Sequence, residues 1–347
     1  MEEYKGKGLT GLVNLGNTCY INSSLQILSN INILNEYLNI FIEQFVDKDE
    51  KPDETDIDLI FVKEWKNLVD LMWLKNSIIS PVRFIKVIQL ISKTKNNDLF
   101  AGFQQNDTTE FIYFMLDSFH NAMKNKDKEL LKKQFKSIEK IKYPKHFINY
   151  YKDYYKDNFS FIELLFSGIY KKEYIDVETK EVLATKYENF YMLDLTLSST
   201  NLNECLIEHF KNEEMNLENG NQYYYEKENE YRDIIKRTTL FYLPKILIIH
   251  LKRWNYNLKK NQRIIHYDIN DLTLEDYLHE DIKDKINNNY ELFGVINHSG
   301  SVLGGHYFSY IKNNNEKWYN YNDNNVNEIS INNILGNKNY CLIYRLK

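Results

Sequence analysis

A single cysteine stands where a short glycine-containing segment gives way to a predicted helix. Cys19 directly follows Asn17 and Thr18, which are both good helix N-cap residues. The apolar positions after it recur with a rough helical spacing, at Tyr20, Leu25, Ile27, Leu28, Ile31 and Ile33. A thiol at the start of a helix faces unpaired backbone N–H groups and the positive end of the helix dipole, which favour the nucleophilic thiolate. Cys19 is therefore a candidate nucleophile, although an isolated cysteine is more often a small buried residue.

A cysteine nucleophile needs a base, and the base needs a partner that orients it. Among the eight histidines, His306 is the best candidate, because two glycines precede it and a strand pattern at Tyr307–Lys312 follows it. Taken alone, a histidine in such a hairpin is more often a surface turn residue. His298 is the second candidate, but a structural hydrogen-bonding role suits it better.

Three further residues are placed to complete a site for acyl transfer. Asn322 or Asp323, after the next predicted strand, would accept a hydrogen bond from the imidazole and fix its tautomer. Asn14, five residues before Cys19, would offer a side-chain amide to an oxyanion, and the Cys19 backbone N–H would offer a second donor.

Composition narrows the class of protein. The chain has 347 residues, a net charge of −5 and 27% charged residues, which is typical of an ordinary globular protein. It shows neither the basic footprint of a nucleic-acid-binding protein nor an apolar stretch of ~20 residues, and its N-terminus lacks the apolar region of a secretory signal. The widely spaced Cys19, Cys205 and Cys341 argue against a disulfide framework. We therefore expect a protein of the cytoplasm, the nucleus or both that binds neither nucleic acid nor membranes.

The order of apolar patterns predicts a helical N-terminal lobe followed by a sheet-rich body. Residues 20–150 are predicted to be mostly helical, and Tyr-, Ile- and Val-rich segments begin at Phe161. The run 241–253, with Pro244 near its start, predicts a central buried strand. Other strands are predicted at Ile169–Val177, Phe190–Leu197, Tyr223–Tyr225, Tyr290–Asn297, Tyr307–Lys312, Trp318–Tyr321 and Tyr340–Leu346.

Four ordered motifs in this chain resemble those of the ubiquitin-specific proteases, and they span Leu9 to Tyr344. They are a cysteine motif at Gly11–Ser23, a Gln–Asp–Glu motif at Gln104–Phe111, Leu243–Pro244 with His250–Trp254 before a first blocking loop, and a histidine motif at Asn297–Tyr310 with Trp318–Asp323.

The resemblance implies an α+β, papain-like cysteine protease fold in one catalytic domain. Its parts would be a helical thumb at about 1–160, β fingers at about 161–240 and a β palm at about 241–347. The implied activity is hydrolysis of isopeptide and peptide bonds at the C-terminal glycine of ubiquitin, with ubiquitin and ubiquitinated proteins as partners and a monomeric enzyme. Two alternatives stay open, which are a protease for a ubiquitin-like modifier and a catalytically silent ubiquitin-binding scaffold.

The resemblance also implies a role for individual residues. Cys19 would be the nucleophile, His306 the base, Asn322 the third member of the triad, Asn14 the oxyanion donor and Asp323 a helper. The residues implied to line the channel for the ubiquitin tail are Gln105, Asp107, Glu110 and Tyr307. A narrow channel would admit only the terminal Gly-Gly of that tail, and carboxylates would suit its arginines.

One departure from the family concerns metal. Family members often hold zinc in the fingers through two Cys-x-x-Cys pairs. The matching positions here are Asp176, Thr179, Tyr225 and Glu228, and no other cysteine or histidine cluster replaces the missing cysteines. We therefore expect no metal and no cofactor, with the fingers held by strand pairing and tyrosine packing.

Overall fold

The computed structural model of the protein describes residues 6–46, 56–301 and 304–347. The first five residues, where a secretory signal was looked for, and Val302 and Leu303 of the histidine motif lie outside these ranges. The helices found within them are α1 (Cys19–Ser29), α2 (Asn32–Phe41), α3 (Ile57–Leu74), α4 (Val82–Thr94), α5 (Thr108–Met123), α6 (Lys128–Lys140), α7 (Lys145–Tyr155), α8 (Phe161–Phe166) and α9 (Leu202–His209), with a π-helix at Ile42–Val46 and short 3₁₀ helices at Asp98–Phe100, Glu275–Tyr277 and Ile331–Asn333.

Two short strands lie among the helices of the first half of the chain, and strands dominate its second half. They are β1 (Gly11–Leu12), β2 (Ile78–Ile79), β3 (Gly168–Asp176), β4 (Val182–Phe190), β5 (Met192–Thr196), β6 (Glu213–Met215), β7 (Tyr223–Tyr225), β8 (Glu230–Arg232), β9 (Ile234–Tyr242), β10 (Ile246–Lys252), β11 (Leu272–Thr273), β12 (Asn289–Ser301), β13 (Gly304–Lys312), β14 (Trp318–Asn322), β15 (Asn325–Ile329) and β16 (Asn339–Leu346).

Helix α1 lies at the centre of the molecule. One side of it packs on β12, β13 and β14, and the other side packs on α5. Every residue of α1 is buried, including the fully enclosed Leu25, and burying such a leucine contributes on the order of 2 kcal/mol. In the described part of the chain, no helix is both long and apolar enough to cross a bilayer. The predicted helical lobe is present, and its helix α1 packs against the strands β12, β13 and β14.

The larger sheet has the strand order β15-β14-β13-β12-β16-β10-β5, with β11 paired to the first residues of β12. All neighbours in it are antiparallel except β10 and β5, which run parallel. Strand β16 is buried between β12 and β10, and it is apolar from Tyr340 to Tyr344. Strands β12, β13 and β14, on which α1 packs, therefore belong to the same sheet as β16, an inner strand from late in the chain.

A second, antiparallel sheet of order β4-β3-β9-β6 stands apart from the first, and the hairpin β7–β8 lies near it. Aromatic stacking supports these strands, as expected for the fingers. The ring centroids of Tyr170 and Phe190 lie 4.3 Å apart, and those of Tyr174 and Tyr223 lie 5.0 Å apart.

Two features differ from the sequence prediction. The run 241–253 is not one strand, because the chain breaks around Pro244 and passes from β9 in the small sheet to β10 in the large one. Proline supplies no N–H to a ladder, so it marks the point where the strand leaves one sheet. Within the range predicted for the fingers, 161–240, α8 packs on α5 and β10, and β5 belongs to the larger sheet.

The tip of β3 is held by polar contacts of one carboxylate. Asp176 Oδ1 accepts the backbone N–H groups of Glu178 and Thr179 at 2.9 and 2.7 Å. Asp176 Oδ2 lies 3.3 Å from the Arg232 guanidinium, and the N–H of Thr179 is the main reason that the pKa of Asp176 is lowered. Its oxygens are thus already engaged, and the described residues include no group of three His, Cys, Asp or Glu side chains able to hold a metal ion. The residues present do not fit a finger zinc site.

We predict that the purified protein contains well under one zinc per chain. A chelator should leave the melting temperature and the catalytic rate unchanged, because the Asp176 contacts need no metal. Elemental analysis and thermal unfolding with and without EDTA measure this. A stoichiometric metal, or unfolding on chelation, would contradict it.

Candidate active site

Cys19 is the first residue of α1 and is buried, with 3% of its surface exposed. Thr18 occupies the N-cap position, but its side chain makes no cap bond and instead accepts the backbone N–H of Leu15 at 2.9 Å. The Asn17 amide donates to the carbonyl of Phe103 at 3.1 Å, so it does not cap the helix either. The expected side-chain cap is therefore absent, because Thr18 binds the loop before α1 and Asn17 binds the segment before α5. The first backbone N–H groups of α1 thus receive no cap from the Thr18 side chain, and they lie at the end of the helix where Cys19 stands.

His306 lies near the start of β13 and contacts Asn322 on the adjacent strand β14. Its Nε2 lies 2.6 Å from Asn322 Oδ1 and donates to it, which leaves Nδ1 as the ring nitrogen for the thiol. The pKa of His306 is raised to about 9, first by its hydrogen bond with the Cys19 thiol and further by Asn322 and the Asp323 charge, while burial opposes the rise. The structure thus brings Cys19, His306 and Asn322 together.

Asp323 faces the oxyanion side of the site more than the imidazole. Its Oδ2 lies 4.0 Å from His306 Nε2 but accepts the Asn14 amide at 3.0 Å. Its Oδ1 accepts the amide of Asn22 at 2.8 Å. Asn322 therefore contacts the histidine, and Asp323 contacts the predicted oxyanion donor.

The orientation of the Asn14 amide is set from both ends. Its Oδ1 accepts the backbone N–H groups of Gly16 and Thr18 at 3.0 and 3.1 Å, so its Nδ2 must point to Asp323. An amide nitrogen carries two hydrogens, and one of them remains for an oxyanion near Cys19.

His298 lies behind the site and is a structural residue in this fold. It is buried, and Lys260 Nζ lies 2.9 Å from its Nδ1. The pKa of His298 is lowered to about 4, mainly by burial and then by the Lys260 charge, so the ring is neutral. It also packs tightly on Gly305, where an added Cβ would lie 2.0 Å from His298 Nε2.

A cavity of about 380 Å³ opens beside these residues. Its lining residues are Gln105, Asn106, Asp107, Trp254, Leu258, His298, Ser301 and Tyr307. Across it, the Gln105 side chain pairs with the backbone of Gly305, donating to its carbonyl at 2.9 Å and accepting its N–H at 3.1 Å. Gln105, Asp107 and Tyr307 thus line one cleft next to His306, whereas Glu110 is exposed in the first turn of α5 and is not among the lining residues.

The Asp107 carboxylate is already engaged within the protein. It caps α5 by accepting the Thr109 N–H at 2.7 Å, and it accepts the hydroxyls of Tyr307 at 3.4 Å and Tyr340 at 2.6 Å. It therefore ties α5 to the sheet, and Glu110 is the more accessible carboxylate for a cationic partner. Sequence reasoning missed Tyr340, which carries no signal beyond its place in a strand pattern.

A thiol at a helix start, a histidine on a facing strand and an orienting amide form the arrangement that papain-like cysteine proteases use. Solved structures support the fold. A Ubp8 variant in the SAGA DUB module with Sgf11, Sus1 and Sgf73, bound to monoubiquitin, superposes with a TM-score of 0.74 and 23% identity, covering 100% of this chain and 70% of that one. The module bound to ubiquitin aldehyde gives the same TM-score and identity over 98% of this chain and 70% of that one.

Sequence comparison gives the family. The model of the family described as ubiquitin carboxyl-terminal hydrolase matches residues 10–344, and the chain belongs to this family. Ubiquitin carboxyl-terminal hydrolase 2 of Homo sapiens is 27% identical over 100% of this chain. A probable ubiquitin carboxyl-terminal hydrolase of Acanthamoeba polyphaga mimivirus is 26% identical over 97% of this chain and 90% of its own length. The chain spans only 56% of the length of the human relative.

We predict that kcat/KM for a fluorogenic ubiquitin amide falls as the pH rises through about 9. The imidazolium of His306, whose pKa is raised to about 9, loses at that pH the proton that a leaving amine needs. Asn322→Ala removes a hydrogen bond that raises this pKa, so the fall should move to lower pH and kcat should drop by on the order of 10–10³-fold.

The exposed Asn324, two residues further on, provides the control, and Asn324→Ala should leave the pH profile unchanged. An unchanged descending limb in Asn322→Ala would remove Asn322 from the mechanism.

We also predict that Gly305→Ala lowers kcat/KM by about 10²-fold. Its new Cβ would lie 2.0 Å from His298 Nε2 and 2.9 Å from the Ser299 carbonyl oxygen, so the buried His298 ring or the strand carrying His306 must shift. The neighbouring Gly304→Ala meets open space and should retain activity. Steady-state assays of both variants test the claim, and equal activities would refute it.

Proposed function

We propose that the protein is a thiol-dependent deubiquitinase that hydrolyses isopeptide and peptide bonds at the C-terminal glycine of ubiquitin. The observation that carries the proposal is the hydrogen bond between His306 and Asn322, in a site where the Cys19 thiol is the largest cause of the raised pKa of His306 and Asn14 offers an amide donor. Membership of the ubiquitin carboxyl-terminal hydrolase family supports the choice of ubiquitin.

The geometry supports a two-step mechanism. In the first step, the Cys19 thiolate attacks the glycine carbonyl carbon, and the π electrons of that bond move to its oxygen. The Asn14 amide and the Cys19 backbone N–H stabilise the oxyanion. His306 Nδ1–H then protonates the leaving lysine amine, the C–N bond breaks and a thioester remains.

In the second step, water hydrolyses the thioester. His306, now neutral, accepts a proton from water as the oxygen attacks the thioester carbon. The C–S bond breaks and Cys19 leaves as the thiolate, which restores the ion pair with the imidazolium. Asn322 keeps the ring in the tautomer and orientation that both steps need.

The shape of the cleft supports a substrate with a glycine tail. The Gln105 side chain bridges to the Gly305 backbone directly beside His306, so little width is left for side chains next to the thiol. Glu110, exposed in the first turn of α5, is a carboxylate for an arginine further along the tail.

The deciding experiment uses ubiquitin with a C-terminal electrophile. We expect one covalent adduct at Cys19, and Cys19→Ala should abolish both the adduct and diubiquitin cleavage while ubiquitin binding persists. Cys205→Ala and Cys341→Ala are matched controls, since both thiols are buried within the fold and should be dispensable. Robust cleavage by Cys19→Ala would overturn the assignment.

The same probe separates the rival functions. Modifier homologues carrying the electrophile should react much more slowly than ubiquitin. Reaction with such a modifier alone would indicate a modifier protease. Binding of ubiquitin without any adduct in the parent protein would indicate a silent scaffold.

A further inference from the structure

Asn22 lies one helical turn after Cys19 on α1 and is almost fully buried, with 3% of its surface exposed. Its Nδ2 donates to Asp323 Oδ1 at 2.8 Å and lies 3.3 and 3.4 Å from the carbonyl oxygens of Leu12 and Val13. Its own Oδ1 is buried and has no hydrogen-bond partner among the described residues. Leaving a buried amide oxygen unpaired destabilises the folded state, so the residue needs an explanation beyond packing.

The explanation lies in the carboxylate that Asn22 contacts. The two oxygens of Asp323 have different donors, Asn22 at Oδ1 and Asn14 at Oδ2. A carboxylate is planar, so a donor fixed on one oxygen sets the direction of the other. Asp323 Oδ2 also lies only 4.0 Å from His306 Nε2. Without Asn22, the attraction of the imidazolium would draw the carboxylate away from Asn14.

We infer that Asn22 is a positioning residue for the oxyanion donor, acting through Asp323 to hold the Asn14 amide where the oxyanion forms. Asn22 itself touches neither the substrate nor the reacting atoms. The inference rests on the proposed function, because it concerns a residue that supports the same hydrolysis.

Asn22→Leu tests this, since it keeps the volume and removes the donor. We expect kcat for a fluorogenic ubiquitin amide to fall by about 10–10²-fold with KM unchanged, because orientation of one oxyanion donor is lost. Gln26→Leu is the matched control. Gln26 is buried one turn further along α1, donates to the Thr10 carbonyl at 2.7 Å and also has an unpaired oxygen, but no hydrogen bond joins it to Asp323. The Gln26→Leu variant should be less stable than the parent protein and should keep the parent's kcat.

Two further readouts separate positioning from a structural effect. Adding Asn22→Leu to Asn14→Ala should cause no further loss of kcat, because the group that Asn22 orients is already gone. The pH at which kcat/KM declines should not move downward in Asn22→Leu, in contrast to Asn322→Ala. A fully additive loss in the double variant would overturn the inference.

An exchange of side chains covers the case in which Asn22→Leu fails to fold. Asn22→Asp keeps the shape but sets two carboxylates against each other, so kcat should fall. In Asn22→Asp/Asp323→Asn the carboxylate and the amide trade places, the hydrogen bond between the two positions can reform, and position 323 keeps an oxygen for Asn14. We expect at least a tenfold recovery of kcat over Asn22→Asp, and no recovery would contradict the inference.

The outcomes distinguish this inference from the proposed function. A parent protein that forms no adduct and cleaves no ubiquitin substrate overturns both. A parent protein that cleaves normally, together with an Asn22→Leu variant of equal kcat, overturns the positioning role of Asn22 alone.

Discussion

The turn between β14 and β15 joins the two parts of the chain that must meet for chemistry. The backbone carbonyl of Asp323 accepts the N–H of Leu12 at 2.8 Å, and its side chain accepts the amide of Asn14, which is 309 residues away in the sequence. Gly11 permits this close approach, because a Cβ there would lie 2.3 Å from the Asn324 carbonyl oxygen. Cys19 follows the Leu12 segment in the chain, and His306 lies on β13, next to the strand β14 that carries Asn322. The contacts of Leu12 and Asn14 with Asp323 therefore set the position of Cys19 relative to His306.

This arrangement divides two polar tasks between neighbouring residues. The neutral Asn322 amide orients the imidazole, while the adjacent Asp323 carboxylate, of which 13% of the side-chain surface is exposed, binds amides from the thiol side. Hydrogen bonds to a charged acceptor are stronger than those between neutral groups, so the Asp323 charge holds Asn14, the predicted oxyanion donor. The largest cause of the raised pKa of His306 is its interaction with the Cys19 thiol.

Much of this was predictable from the sequence where a local motif carries the information. The local motifs predict Cys19 and His306 and leave Asn322 or Asp323 as the orienting residue, the family resemblance implies Asn322, and the structure brings Cys19, His306 and Asn322 together. The papain-like fold was predicted through family resemblance and is confirmed by its solved neighbours.

The parts that were not predictable depend on contacts between distant residues. The engagement of Asp107 by Tyr307 and Tyr340 joins α5 to two strands of the sheet, and no spacing rule connects those positions. An apolar run does not show which sheet a strand will join. The sequence therefore does not predict the break between β9 and β10 or the parallel pairing of β5 with β10. The sequence predicts that Asn17 and Thr18 cap α1, but bonds to Phe103 and to Leu15 compete with capping.

The position of β16 has a consequence for how the chain reaches its native state. Residues 339–346 form an inner strand, flanked by β12 on one side and β10 on the other. Until they leave the ribosome, β12 and β10 each expose an unpaired edge. Such non-local pairing folds slowly. During synthesis, the nascent chain therefore carries Cys19 long before β16 can join β12 to β10 and complete the larger sheet.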